Sequence, residues 1–350
     1  SYQTRRKQAE DFVTDTGKIM PADASKVVIQ KYGKPALFAR LIGWTMLAVL
    51  AAFLINNVLD VGFGYARAST FLTDNNADAL IPLIVYIGAI ALGAVYVLIS
   101  RDVALRWDAQ NIHKFNVYLI RACFWVVLLV GIVDTAIAFM RVENLLTWIT
   151  SPENIGQYKS ARYVGANIHI PLIVAGFVIA LFTRTLGFTW LALLIVAAEL
   201  LIVITRFVFS YEQAFMGDLV RYWYAALFLF ASAYTLFDEG HVRVDVLYAG
   251  FTDKTRGFVN AVGSLFLGAT TCWVILALGI NGKQSMINSP ILNFEITQSG
   301  GNGLFVKYQM AAFLGIFAVT MLIQFTSYFL EAVADYRNEP GHRDHEPAAH

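Results

Sequence analysis

The sequence predicts an all-α integral membrane protein of about eight transmembrane helices, and three observations carry that prediction. Of its 350 residues, 57% are hydrophobic and 15% charged, against roughly 25% charged in an ordinary soluble chain. Stretches such as Leu41 to Ile55 and Leu191 to Ile204 hold at most one charge and approach the ~20 apolar residues that cross a ~30 Å hydrocarbon core. Each run also far exceeds the ~10 residues of a barrel strand, and lipid tolerates no unpaired backbone, so the spans are helices.

Hydropathy places the spans near 37–57, 80–100, 115–140, 167–184, 188–209, 219–237, 257–280 and 308–333. The polar segment 1–36 precedes them and lacks the apolar core of about 7 to 15 residues that a signal peptide needs, so the N-terminus is expected to stay on the side where it is made. In the first span Arg40 is close enough to an end to snorkel, as is Arg121 in the third. Pro82 opens the second span and Pro171 the fourth, within the first turn or so, where proline is tolerated. Trp44, Trp107, Trp148, Trp190, Trp223 and Tyr328 are placed as an interfacial belt, with Trp125 and Trp273 deeper. The long connections 141–166 and 281–307 fall on one side, and Pro290, Gly300, Gly301 and Gly303 mark irregular backbone there; such surfaces suit docking of a soluble partner. The last residues, 337–350, read as a disordered cytoplasmic tail.

Orientation follows from the basic residues of the connections. Arg5, Arg6, Lys7, Arg101, Arg106, Arg243 and Arg256 fall on the side of the two termini, and fewer, among them Arg67, Lys159, Lys283 and Lys307, on the other. The positive-inside rule therefore puts both termini in the cytoplasm. No repeat is visible between 1–185 and 186–350, and the paired broken helices of an inverted-repeat carrier are not evident.

Ionisable residues within the spans are the candidate functional residues, because they are costly in lipid. Glu199 sits near the middle of 188–209, and Arg206, seven residues on, lies on nearly the same face. The pair is either polar glue between helices or subunits, or a proton- or ion-sensitive group. Asp134 lies in the outer half of its span with no obvious partner and is expected to face a cavity or an interface. Other chemistry finds no support. His113 and His169 begin their spans on opposite sides and cannot share a haem. His342, His345 and His350 lie in the polar tail. Cys123 and Cys272 read as small buried hydrophobes. There is no nucleophile with its base, no phosphate-cradling glycine loop and no catalytic carboxylate pair, so no enzyme is expected. A net charge of +1 without a basic stripe excludes nucleic acid.

Between the fifth and seventh spans the chain carries Arg206-Phe-Val-Phe-Ser-Tyr-Glu212, the span to Phe237, and then Glu239-Gly-His241-Val-Arg243-Val-Asp245. This resembles the small permease subunit of tripartite ATP-independent periplasmic (TRAP) transporters. That family has an arginine-aromatic run closing one helix, an acidic residue before the next, and a His-x-Arg-x-Asp segment after it, here Arg206, Glu212, and His241, Arg243 and Asp245. The resemblance covers about 188–336, four spans, and leaves the four spans of 37–185 without an assigned role. One departure is Lys307-Tyr308, where a tryptophan would lead into the last helix. With valines interleaved among its charges, the His241 segment fits an element lying flat at the membrane surface or a solvated loop; the resemblance favours the structured element.

The resemblance implies a scaffold in the bacterial inner membrane. It supports a large permease subunit that holds the transport pathway and the coupling ion, expected to be sodium, and helps a periplasmic substrate-binding protein to dock. The solute is expected to be a small organic carboxylate. No cofactor is expected of this chain, and its other partners are membrane lipids. The alternative is a membrane-anchor subunit of a respiratory complex, which would need a cofactor or quinone pocket.

Overall fold

In a computed structural model, residues 30–74, 77–237 and 248–341 are described. They form a helical bundle with no strand among them, an all-α multi-pass membrane protein. Seven helices are long and apolar enough to cross a membrane: α1 Leu37–Phe63, α2 Ala77–Ile99, α3 Leu105–Val142, α4 Ala161–Phe182, α5 Phe188–Phe209, α7 Asp253–Gly279 and α8 Lys307–Tyr336. The eighth expected span is α6, Ala214–Phe237, whose 24 residues are long enough but less apolar. Asp218, Arg221, Tyr222 and Tyr224 dilute its hydropathy; Asp218 and Tyr222 do so on a face that packs on protein, where Phe215, Trp223 and Phe230 are also buried.

The helices run alternately between two ends of the bundle. At the terminal end, where residues 30 and 341 lie, Arg337 donates to the carbonyls of Lys34 and Pro35. At the far end, Asn57 of α1 and Asn288 of the α7–α8 connection exchange amide hydrogen bonds of 3.2 and 2.9 Å.

Helices α3 and α8 form the axis. Half of the apolar window of each is buried, against 11% for α2 and 17% for α5. Two apolar cores flank this axis. One joins the start of α3 to α1, α7 and α8 through Leu50, Leu105, Leu276 and Leu330. The other joins the rest of α3 to α5, α6 and the start of α8 through Val127, Leu191, Tyr222 and Phe313. The boundary at residues 185 and 186 thus divides the chain in sequence, while both cores draw on helices from either side of it.

Four expectations are corrected by packing. Arg40 does not snorkel: it is fully buried and its Nε donates to Asp108 Oδ2 at 2.7 Å. Trp223 is no interfacial anchor; it is 4% exposed and its indole N–H donates to the Val127 carbonyl. Helix α3 begins ten residues before the expected span, because Arg106, Asp108 and His113, polar enough to read as a loop, find partners on α1 and α8. At ~1.5 Å per residue its 38 residues reach about 57 Å, well beyond a hydrocarbon core. Pro171 is not at a free helix start either. It follows a wide turn, Gly165–His169, which absorbs the missing N–H within a longer helical run. Cys123 and Cys272 are both free and buried.

Candidate functional site

At the far end a polar chain crosses four helices inside the bundle. Asp134 of α3 and His169 of α4 are both fully buried, with Asp134 Oδ1 3.5 Å from His169 Nε2. The other carboxylate oxygen accepts the Phe305 N–H at 2.7 Å. On its opposite edge His169 Nδ1 meets the Tyr308 hydroxyl at 3.0 Å, and that hydroxyl also accepts from Gln309 Nε2 at 3.0 Å. Tyr222 of α6 donates to the Gln309 carbonyl oxygen. His169 Nε2 and Asp134 Oδ1 face each other as an ion-pair contact, and neither atom makes a hydrogen bond.

The same end is stitched to the α7–α8 connection. Arg141 donates to the carbonyls of Gly301 and Gly303 at 2.7 and 2.5 Å and lies over the Phe305 ring. The buried Asp218 accepts from the Leu304 N–H at 3.2 Å and the Thr297 hydroxyl at 2.7 Å. Lys307 pairs with Glu295 at 3.0 Å across the base of this connection. Asp134, expected to face a cavity or an interface, thus has its partners within the chain. It holds the loop backbone, because a peptide N–H at the bundle end needs an acceptor and a buried carboxylate needs donors. Asp134→Leu strands the Phe305 N–H, whose acceptor it removes. The expected loss is about 1–3 kcal/mol for that buried group left unsatisfied, with faster amide hydrogen exchange over 300–308 while α1 and α2 are unchanged.

Glu199 and Arg206 are not brought inside. Both are exposed on α5, and Arg206, 60% exposed, reaches only the 73% exposed Glu212 at 4.0 Å. Helix α5 packs on α6 through Leu191, Leu194, Ala198 and Ile202, and most of the remaining surface is apolar and open, including Leu200, Val203 and Phe207. Helix α2 is equally peripheral, yet Leu80–Ile99 carries no charge at all. The motif residues His241, Arg243 and Asp245 lie outside the described residues, as do His342, His345 and His350.

Arg40, Arg141, His169 and Asp218 escaped the sequence reading as partnered residues. Each lies near a span end, where hydropathy allows a charge to reach water, and only the folded neighbours turn them inward. Among the described residues no three His, Cys, Asp or Glu side chains gather so as to hold a metal ion.

Residues 195–335, which run from within α5 to the end of α8, match the family model for tripartite ATP-independent periplasmic transporters, DctQ component. The matched region is therefore similar to a component of a transporter, the small subunit, and that family is not an enzyme family. The match leaves out α1 to α4. No curated protein and no solved structure matches the chain.

Proposed function

We propose that this chain is the small membrane subunit of a TRAP-type transporter in the bacterial inner membrane, with the open face of α5 packed against the large permease subunit. The observation that carries the reading is the contrast between the two peripheral helices. A mid-span carboxylate facing lipid costs about 2.5–3.5 kcal/mol on insertion scales, and Glu199 is exposed on a helix partly inside the matched region, whereas Leu80–Ile99 of α2 carries no charge. A second membrane protein that supplies a hydrogen-bond donor to Glu199 removes that cost.

In this reading the terminal end is cytoplasmic, in keeping with its excess of arginine and lysine. The far end is periplasmic, and the stitched 281–306 connection offers a firm platform for a substrate-binding protein. The transport pathway and the coupling ion, sodium, belong to the large subunit, and the solute is a small organic carboxylate. This chain contributes shape and support.

Co-purification in mild detergent tests it. The wild-type chain is expected to bring down a larger multi-span subunit. Glu199→Gln, which keeps an acceptor, retains most of the complex and of solute uptake, and Glu199→Leu weakens assembly by on the order of 1 kcal/mol. An assembled but inactive Gln variant would show that Glu199 carries protons or ions. Recovery of the chain alone, with uptake unaffected by its deletion, would overturn the scaffold role.

A further inference from the structure

We infer that the wedge between α3 and α5 is a binding site for an anionic phospholipid, its acyl chain between the helices and its phosphate on Arg121 and Arg184. The wedge is a cavity of about 280 Å³ walled by Phe124, Trp125 and Leu128 of α3 and by Trp190, Leu191 and Leu194 of α5. Helix α5 leans on α6, and near this level it meets α3 through the Phe124 and Phe188 rings, 4.6 Å apart. Among the described residues no side chain fills the space beside that contact. A gap so apolar does not hold water, which needs two to four polar partners, but it takes a hydrocarbon chain without desolvation cost.

The polar groups gather at one end of the cavity only, where the turn 183–187 joins two spans and so lies at a membrane surface. Gly187, at φ 79°, turns the backbone into α5 there and closes the cavity without a side chain. Arg121, one turn before Trp125 on α3, donates through one nitrogen to the Ala180 and Thr183 carbonyls, while its Nε is buried with no partner. Arg184 is exposed in the turn itself. Among the described residues neither arginine makes an ion pair, and the stretches 115–133 and 170–198 that surround them contain no Asp or Glu. Trp125 is held by its indole N–H on the Thr183 hydroxyl, 2.9 Å away, and Trp190 is 65% exposed at the rim. Two guanidiniums without a carboxylate, above an aromatic-lined slot, match a phosphodiester above an acyl chain.

This site is separate from the α5 face assigned to the large subunit. Trp190 and Glu199 are nine residues apart, which at ~100° per residue sets them about 180° apart around the helix. The lipid therefore does not depend on the transporter reading. It would also wedge α5 against α3, and so couple the matched region to a helix outside the match.

Native mass spectrometry of the detergent-purified chain, with phosphatidylglycerol, phosphatidylcholine or inorganic phosphate added at equal concentration, is the test. Phosphatidylglycerol is expected to be retained in preference to phosphatidylcholine. Arg184→Glu, a change at an exposed turn, is expected to cut that preference by at least the roughly fivefold worth of one surface arginine. Bromine on the phosphatidylglycerol acyl chain should quench tryptophan fluorescence, and the quenching should fall in Trp125→Phe and in Trp190→Phe. Equal retention of the two lipids would overturn the proposal, as would binding of inorganic phosphate with no quenching by the brominated chain. Leu194→Trp fills the cavity; undiminished retention of phosphatidylglycerol by a folded Leu194→Trp variant would place the lipid elsewhere and overturn it as well.

Discussion

Arg40→Ala is expected to cost about 3–5 kcal/mol and to be the most damaging single substitution in the terminal half of the bundle. Arg40 is fully buried against an equally buried Asp108, with Nε to Oδ2 at 2.7 Å. It also donates to the hydroxyl of Ser100 at 2.9 Å and to the carbonyl of the same residue, while the Trp44 indole shares the Asp108 oxygen at 2.9 Å. The cluster ties α1, the end of α2 and the start of α3 together. Removing the guanidinium leaves a carboxylate without its counter-charge in a region water does not reach, and most of the loss comes from that stranded charge. The second arm separates this cause from lost packing. Arg40→Met combined with Asp108→Leu removes both charges and keeps apolar volume, so much of the stability should return, as buried ion pairs replaced by hydrophobes commonly show. Thermal inactivation half-lives of the three proteins in one detergent give the comparison, since membrane proteins of this size seldom unfold reversibly. A double variant worse than Arg40→Ala would mean that the hydrogen bonds to Ser100 and not the charge balance hold this end.

Gly257→Val is expected to be nearly as severe, by a different cause. A Cβ at Gly257 would stand 2.5 Å from the Tyr336 backbone nitrogen and 2.7 Å from the Ala332 carbonyl oxygen of α8. Both obstacles are main chain, so no rotamer change relieves them and α7 must move off the axis helix. Between helices in a membrane, close backbone approach supplies the van der Waals attraction that the hydrophobic effect cannot. Overpacking costs about 1–3 kcal/mol even where side chains can yield, and the displacement here should reach or exceed the upper figure. Gly263→Ala, six residues on, meets nothing within 4 Å and should be neutral or slightly stabilising through helix propensity. Monodisperse yield after heating, read side by side, checks both. Equal loss in the two variants would mean that backbone freedom of α7, and not its contact with α8, matters.

Much of the fold is legible in the amino-acid sequence. The eight expected spans all appear as helices, seven of them long and apolar enough to cross a membrane, because lipid demands a long apolar run with its backbone paired internally. The region that resembles the TRAP small subunit is also readable, since the Arg206 and Glu212 pattern is local in sequence, and the family model falls on 195–335. Glu199 stands out as a costly charge, but its exposed position on α5 cannot be read from the chain, where the same spacing fits a buried polar stripe equally well.

What the sequence determined by itself is therefore the solvent of this protein: where its apolar helices run along the chain and which charges lipid would reject. What only the tertiary structure decided is where those charges go. Arg40 with Asp108 and Asp134 with His169 are separated by 68 and 35 positions along the chain, yet each pair is in contact. No local pattern encodes such pairing, because a charge near a span end satisfies hydropathy equally by reaching water or by turning inward to a partner. Packing makes the choice: α3 and α8 are half buried, and their inward polar residues Asp108, Asp134 and Gln324 have protein to bond with, while α5, covered on one side only, leaves Glu199 facing outward.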